Sequence, residues 1–249
     1  MTTPNPQQKK TALVTGASRG IGAAVAERLA RDGFNVIVNS AGSRDAAEAL
    51  VRKVEAAGGR ALSIQADVSD PTAFPRMFDA AEAAFGGVDV LVNNAGVGKF
   101  IRFADFDDAL FDQHVAVNLK GTFNGLREAA RRLRDGGRII NFSTSVLGLR
   151  METYGVYVAT KAAVEAMTGV LSKELRGRNI TVNCVAPGPT ATDLFLSGKS
   201  PELVDRLAKL NPMERLGTPE DIAASVAFLA GPEGGWINGQ VLRANGGMV

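Results

Sequence analysis

Tyr157 and Lys161 stand four residues apart in Tyr157-Val-Ala-Thr-Lys161, so on a helix they share one face. An ammonium beside a phenol favours the phenolate and draws its pKa down from about 10 toward neutrality. A tyrosine so placed can give and take a proton at working pH. The same spacing also occurs on solvated helix faces, so the pair by itself does not establish chemistry. Three hydroxyls, Ser143, Thr144 and Ser145, precede it, and Asn118 lies earlier in the chain. The other familiar catalytic materials are scarce. Cys184, the single cysteine, lies in the apolar run Ile180-Thr-Val-Asn-Cys-Val-Ala186 and reads as a buried, inert thiol. One cysteine rules out an internal disulfide and a multi-cysteine metal site. With one histidine, His114, there is little material for a zinc site or a Ser-His-Asp triad. No metal is expected, and His114 reads as a packing or surface residue.

The elements that would position these groups alternate along the chain. Thr11-Ala-Leu-Val-Thr15 is a short apolar run suited to a buried parallel strand. It enters the turn Gly16-Ala-Ser-Arg-Gly20-Ile-Gly22 and then a helix over 23–31. Backbone N–H groups at such a helix start can hold a pyrophosphate. Strands are predicted at 34–39, 60–66, 88–92, 138–142, 179–186 and 240–243. Helices are predicted at 44–57, 71–85, 106–134, 154–176, 192–197, 201–210 and 219–230. That rhythm means βαβ crossovers and a parallel sheet with helices on both faces, the doubly wound α/β class. No linker or repeat divides residues 11–249, which read as one catalytic domain. Residues 1–10, polar and with two prolines, read as a loose start without the apolar core of a signal peptide.

Composition sets the outer bounds. A hydrophobic share of 45% with 22% charged residues is that of a globular protein with a core of good size. A formal net charge of +2 gives no reason to invoke nucleic acid or a membrane surface. No stretch has the length of apolar residues needed to span a bilayer. A cytoplasmic protein is the expectation.

Thr15-Gly-Ala-Ser-Arg-Gly-Ile-Gly22, Asn93-Asn-Ala-Gly96, Asn118, Ser145, Tyr157-x-x-x-Lys161 and Pro187-Gly188 occur in that order. As a set they closely resemble the short-chain dehydrogenase/reductase family over nearly the whole chain, including its 3-ketoacyl-carrier-protein reductases. The resemblance implies a Rossmann-type sheet of seven parallel strands with a nicotinamide dinucleotide at its carboxyl edge. It implies Tyr157 as proton donor in reduction, with Lys161 lowering its pKa and holding the nicotinamide ribose. Ser145 would orient the carbonyl oxygen, and Asn118 would hold a water relaying protons from Lys161. Ser145 is chosen because Ser145-Val-Leu-Gly148 matches the family's run. Strand alternation puts Ser143 on the same face, so Ser143 stays open. Cofactor contacts are implied at Gly16, Ser18, Arg19, Gly20, Ile21, Gly22, Asn39, Ser40, Asp67, Val68, Asn94, Ala95 and Gly96. Tyr157, Lys161, Pro187, Gly188, Thr190 and Thr192 complete that set, and Asn93 would steady the central strands.

Cofactor choice turns on residues 39–44, Asn-Ser-Ala-Gly-Ser-Arg, which carry no acid for the ribose hydroxyls before Asp45. Arg19 can pair with a 2′-phosphate, and Ser40, Ser43 and Arg44 can add donors. NADP(H) is favoured. The reaction expected is NADPH-dependent reduction of a ketone or aldehyde to an alcohol. Ketoacyl-carrier-protein reduction, NAD-dependent alcohol oxidation and a nucleotide-sensing protein are the alternatives. Residues 191–216 form the substrate region, where Leu194, Phe195 and Leu196, with Val146, Leu147, Met151 and Tyr154, suggest an apolar pocket. Arg127, Arg131 and Arg134 share a helix face that is either solvated or a dock for an acidic carrier protein. Relatives form tetramers. Small residues Ala159, Ala162, Ala163 and Ala166 suit one interface, and Trp236 with Gly247-Met-Val249 suits another.

Overall fold

A computed structural model describes residues 9–249. Its seven strands are β1 (Thr11–Val14), β2 (Asn35–Ser40), β3 (Arg60–Gln65), β4 (Val90–Asn93), β5 (Arg138–Phe142), β6 (Thr181–Pro187) and β7 (Val241–Ala244). All neighbours pair parallel in the order β3-β2-β1-β4-β5-β6-β7. Parallel neighbours need crossovers long enough to hold a helix. The helices are α1 (Gly20–Arg31), α2 (Arg44–Ala56), α3 (Ala73–Phe85), α4 (Asp108–His114), α5 (Gly121–Arg132), α6 (Val146–Leu149), α7 (Gly155–Glu174), α8 (Asp193–Leu196), α9 (Pro201–Ala208) and α10 (Pro219–Ala230).

Strand alternation divides the core into two layers. In β1, Ala12 and Val14 pack with α1, α2 and α10, whereas Leu13 joins the layer under α3, α5 and α7. Ile140 and Ile139 of β5 divide in the same way. Polar side chains also brace the sheet. Asn93 Nδ2 donates to Asn141 Oδ1 at 2.9 Å, and Asn141 Nδ2 donates to Thr168 Oγ1 of α7 at 2.9 Å. The expectation that Asn93 steadies the central strands is met by this chain, which ties β4 to β5 and β5 to α7.

Three local expectations change. The continuous helix over 106–134 is α4, then a π-helical turn Val115–Lys120, then α5. Asn118 lies within the π turn, where the widened winding displaces side chains from their α positions. Of the stretch read as a loose start, Lys9 and Lys10 are tied to the sheet, their carbonyl oxygens accepting from Asn35 of β2. The rest of that stretch, residues 1–8, lies outside the described residues. Met248 and Val249 lie against the cleft and α6, not solely on an outer face suited to a subunit contact.

Of the arginines expected on one helix face, Arg127 donates to Asn124 Oδ1, Arg131 is exposed with no ion pair among the described residues, and Arg134, beyond the end of α5, is paired. Arg132 pairs with Asp79, Glu82 and Glu128, and Arg134 pairs with Asp89. Among the described residues no helix is long and apolar enough to cross a membrane.

Candidate active site

The strand order reverses between β1 and β4, and a cleft opens beyond their carboxyl ends, as in other doubly wound sheets. Its floor is the turn Gly16–Gly22. Gly16 and Gly20 have φ of 62° and 56°, in the left-handed region that glycine tolerates. A Cβ on Gly22 would lie 2.4 Å from Gly16 O, so any side chain there would break the turn. The floor is bonded to the next loop. Thr15 Oγ1 accepts from the backbone N–H groups of Asn94 and Ala95, both at 3.0 Å, and Asn94 Nδ2 donates to Thr15 O at 2.8 Å. Arg19 is exposed just before α1, and its guanidinium has no partner among the described residues. Arg44, in contrast, is held by Glu48 at 2.7 Å.

Several expected cofactor residues play supporting parts. Asn39 is buried, its Oδ1 accepting from Gly16 N at 3.4 Å and its Nδ2 donating to Ile64 O and Ala66 O. Its side chain is therefore a brace between β2, β3 and the glycine turn, with both polar atoms used within the chain. Ser40 is buried with its hydroxyl on Ser43 O, and Val68 is buried against Gly121. Asp67 is exposed at the end of β3, with Oδ1 accepting from Ser69. Ile21, Asn94, Gly96, Pro187, Gly188, Thr190 and Thr192 line the cleft itself. Thr192 also caps α8, and the methyl of its side chain approaches Gly20 across the cleft.

On the opposite wall α7 presents Tyr157 and Lys161, both lining the cleft. Lys161 is only 4% exposed, and its Nζ donates to Phe142 O at 2.9 Å. Burial lowers its pKa from an ordinary 10.5 to about 8. The Tyr157 phenol is pushed up to about 12 by burial, against a smaller downward pull from the Thr144 hydroxyl. The expectation that Lys161 draws the phenol down is not met here. Its Nζ lies 5.8 Å from the Tyr157 ring centroid, committed to the Phe142 carbonyl, and desolvation outweighs it.

The hydroxyl beside the phenol is Thr144, which lines the cleft. Ser145 does not. Its Oγ donates to Ala186 O at 2.8 Å and accepts from Asn245 Nδ2 at 2.9 Å. Strand alternation stops after Phe142, and Ser145 has helical dihedrals at the start of α6, which turn it toward β6. Ser143 follows Asn141 onto the α7 side, donating to Glu165 Oε1 at 2.6 Å. Within Ser-Thr-Ser no periodicity singles out the middle residue. Asn118 is fully buried, with Oδ1 accepting from Val97 N at 2.8 Å and Nδ2 donating to Val97 O and Thr160 Oγ1. Its amide holds the Gly96–Val97 wall beside Lys161 and makes no direct bond to the lysine. His114 is a packing residue, as expected: it is buried, with Nε2 accepting from Lys99 N and Nδ1 donating to Leu110 O.

The rest of the cleft is apolar. Val146, Leu149, Met151, Tyr154, Leu194, Phe195, Leu207 and Leu210 line it, whereas Leu147 and Leu196 do not. Sequence reasoning missed Phe100, whose ring stacks on Tyr154 at 4.2 Å and meets Tyr157 edge-on at 5.5 Å. It also missed Lys199, whose ammonium lies 5.6 Å from the Phe100 ring and 4.7 Å from the Phe195 ring, both of which line the cleft. A lone phenylalanine in a loop and a lysine in a variable segment carry no periodic signal that would have singled them out.

A protein-family model described as enoyl-(acyl carrier protein) reductase matches residues 16–249. A short-chain type dehydrogenase/reductase of Picea abies is 47% identical over 250 residues, covering 96% of this chain and 92% of the relative. The chain belongs to the short-chain dehydrogenase/reductase family. Another similar protein, the NADPH-dependent aldehyde reductase-like protein, chloroplastic, of Arabidopsis thaliana, is 44% identical over 99% of this chain and 96% of its own. A crystal structure of a short-chain dehydrogenase from Burkholderia cenocepacia in complex with NADP superposes with a TM-score of 0.91. It is 40% identical and covers 98% of this chain and 99% of that one.

Two outcomes follow for this short-chain dehydrogenase/reductase. If Thr144 places the reacting oxygen, Thr144→Val should lower kcat by about 100-fold, the loss typical of one preorganised donor. Ser145→Ala should leave kcat close to wild type; the reverse ranking in steady-state assays would return the role to Ser145. The second outcome concerns Lys161. Below about 8 the lysine is charged in both folded and unfolded chains, and its burial cost is present in full. Between about 8 and 10.5 the unfolded chain binds the extra proton, so stability rises with pH. Wild type should therefore gain stability relative to Lys161→Met across that window. Denaturant midpoints that stay parallel from pH 7 to pH 10.5 would contradict the assignment.

Proposed function

We propose that the protein is an NADPH-dependent carbonyl reductase that converts a ketone or aldehyde to an alcohol. One observation carries the reading. Tyr157, Thr144 and Lys161 line one apolar cleft, which Ile21 of the glycine turn lines as well. The glycine turn, with room kept by Gly16, Gly20 and Gly22, fits a dinucleotide pyrophosphate at the start of α1. No carboxylate stands at the end of β2 to take adenosine ribose hydroxyls, and the unpaired Arg19 guanidinium suits a 2′-phosphate. The cofactor is NADP(H), which when bound supplies the hydride.

The chain's own residues handle the oxygen. As a carbonyl takes a hydride its oxygen becomes anionic and needs donors already in place. Thr144 donates to that oxygen, and Tyr157 gives it the proton. A phenol held near 12 is protonated at neutral pH, which is the form that reduction uses. Lys161 places positive charge beside the developing alkoxide and binds the ribose. Asn118 keeps Gly96 and Val97 in position next to it. Phe100, Tyr154 and the α8–α9 region accept an apolar substituent on the carbonyl.

Of the three arginines Arg127, Arg131 and Arg134, Arg134 already holds Asp89, which weighs against its use by an acidic carrier protein, whereas Arg131 stays exposed. A homotetramer is the assembly we favour. Ala159, Ala162, Ala166 and Val170 form an exposed stripe of mostly small residues on α7, and Trp236 is 99% exposed just before β7.

NADPH oxidation followed by absorbance with aldehydes and ketones tests the reaction. Tyr157→Phe should abolish turnover while leaving NADPH binding nearly intact, and Arg19→Ala should weaken NADPH far more than NADH. Turnover retained by Tyr157→Phe would exclude the proposed proton donor. Light scattering should read a mass near four times the 26.1 kDa chain, and Ala162→Arg should reduce it; a wild-type monomer would remove the assembly.

A further inference from the structure

Beyond β7 the chain does not leave the domain. Asn245 turns it back, with Oδ1 accepting from Gly247 N at 2.9 Å and Met248 N at 3.2 Å. Its Nδ2 donates to Ser145 Oγ at 2.9 Å and to Val249 O at 3.4 Å. Ser145 in turn is fixed to β6 through Pro187 O and Ala186 O. Backbone space is reserved for this arrangement. A Cβ on Gly188 would lie 2.9 Å from Asn245 Cα, and one on Gly148 would lie 3.0 Å from Val249 Cβ.

The other side of the segment is equally constrained. Gly246 has φ of 66°, and a Cβ there would meet Asn211 Oδ1 at 2.6 Å. Asn211 is buried and bonds Ala208 O and Arg215 O, which ties together the end of the substrate region. Residues 245–249 thus span from the turn that carries Thr144 to the stretch that follows α9. Between these two anchors Met248 enters the lining of the apolar cleft. A methionine there is adaptable in shape yet here is held by a bonded backbone N–H.

We propose that Met248 is a specificity-determining residue: its side chain bounds the part of the cleft that receives the carbonyl substituent and limits the size of apolar group accepted. The Asn245–Ser145 bond holds that wall at a fixed distance from Thr144. This assigns the second serine of Ser-Thr-Ser a positioning task on the wall, in place of contact with the reacting oxygen. The inference rests on the carbonyl reductase reading, and the test separates the two.

Wild type and Met248→Ala are assayed with NADPH on acetaldehyde, benzaldehyde and 2-naphthaldehyde. Met248→Ala should raise kcat/KM for 2-naphthaldehyde relative to acetaldehyde by about tenfold, chiefly through KM, as pocket changes of a few methylenes do. Asn245→Ala, which releases the segment, should move the ratio in the same direction. A second measurement does not depend on turnover. Met248→Cys is labelled with a maleimide, against a background kept low because Cys184 is buried with its thiol pushed up to about 12. Saturating 2-naphthaldehyde with NADP+ present should slow labelling severalfold. Wild-type turnover with an unchanged ratio and no protection overturns the Met248 assignment and leaves the reductase reading standing. Protection without turnover of any carbonyl by wild type overturns the reductase reading and keeps Met248 in the wall.

Discussion

A buried ammonium on a main-chain carbonyl is the interaction around which the site is arranged. Lys161 Nζ rests on Phe142 O, at the last residue of β5. Burying that charge is costly unless it finds a partner, and the carbonyl is the partner the fold provides. The bond fixes α7 against the end of β5 and so sets where Tyr157, one turn earlier, meets the Ser143–Ser145 turn. Depth also decides the proton chemistry, since the same burial that lowers the lysine to about 8 raises the phenol to about 12. The pair therefore begins with its proton on the phenol. The ammonium itself is held on the Phe142 carbonyl, 5.8 Å from the Tyr157 ring centroid.

The cleft is formed by two separately braced halves. Thr15 and Asn94 join the glycine turn to the β4 loop, so the floor is a single bonded unit. Asn93, Asn141 and Thr168 join the central strands to α7, so the wall that carries Tyr157 and Lys161 is another. Gly96 lies where they meet, close enough that a Cβ there would approach Asn118 Oδ1 and Lys161 Nζ. Preorganisation of this kind matters because a donor displaced by a fraction of an ångström stabilises the transition state less. The apolar remainder of the cleft is drawn from α6, α8, α9 and residues 245–249, together with Phe100, Met151, Tyr154 and Leu210 from the loops between elements.

Much of the fold is legible in the sequence. The alternation of apolar strands with helices carries the architecture, because each parallel strand needs a crossover and each buried strand needs an apolar run. Glycines at Gly16, Gly20 and Gly22 mark a turn that admits no side chain, and Tyr157 and Lys161 are bound to share a helical face by their spacing. These signals are local, so sequence holds them. The position of Asn118 was also readable, although its π turn was not: one extra residue in a winding leaves no mark on composition.

The chain by itself therefore determined the doubly wound class, the glycine floor and the Tyr157–Lys161 pair, each of which depends on spacing along one element. Tertiary structure alone decided which hydroxyl faces the phenol, because the turn after β5 leaves strand geometry and rotates Ser145 toward Ala186 and Asn245. It decided that Asn39 and Asn118 brace backbone, since their partners Ile64, Ala66 and Val97 are distant in sequence. It decided the sign of the phenol's shift, because burial is a property of the whole fold. It also brought Met248 beside the cleft, a meeting that only the closure of seven strands could arrange.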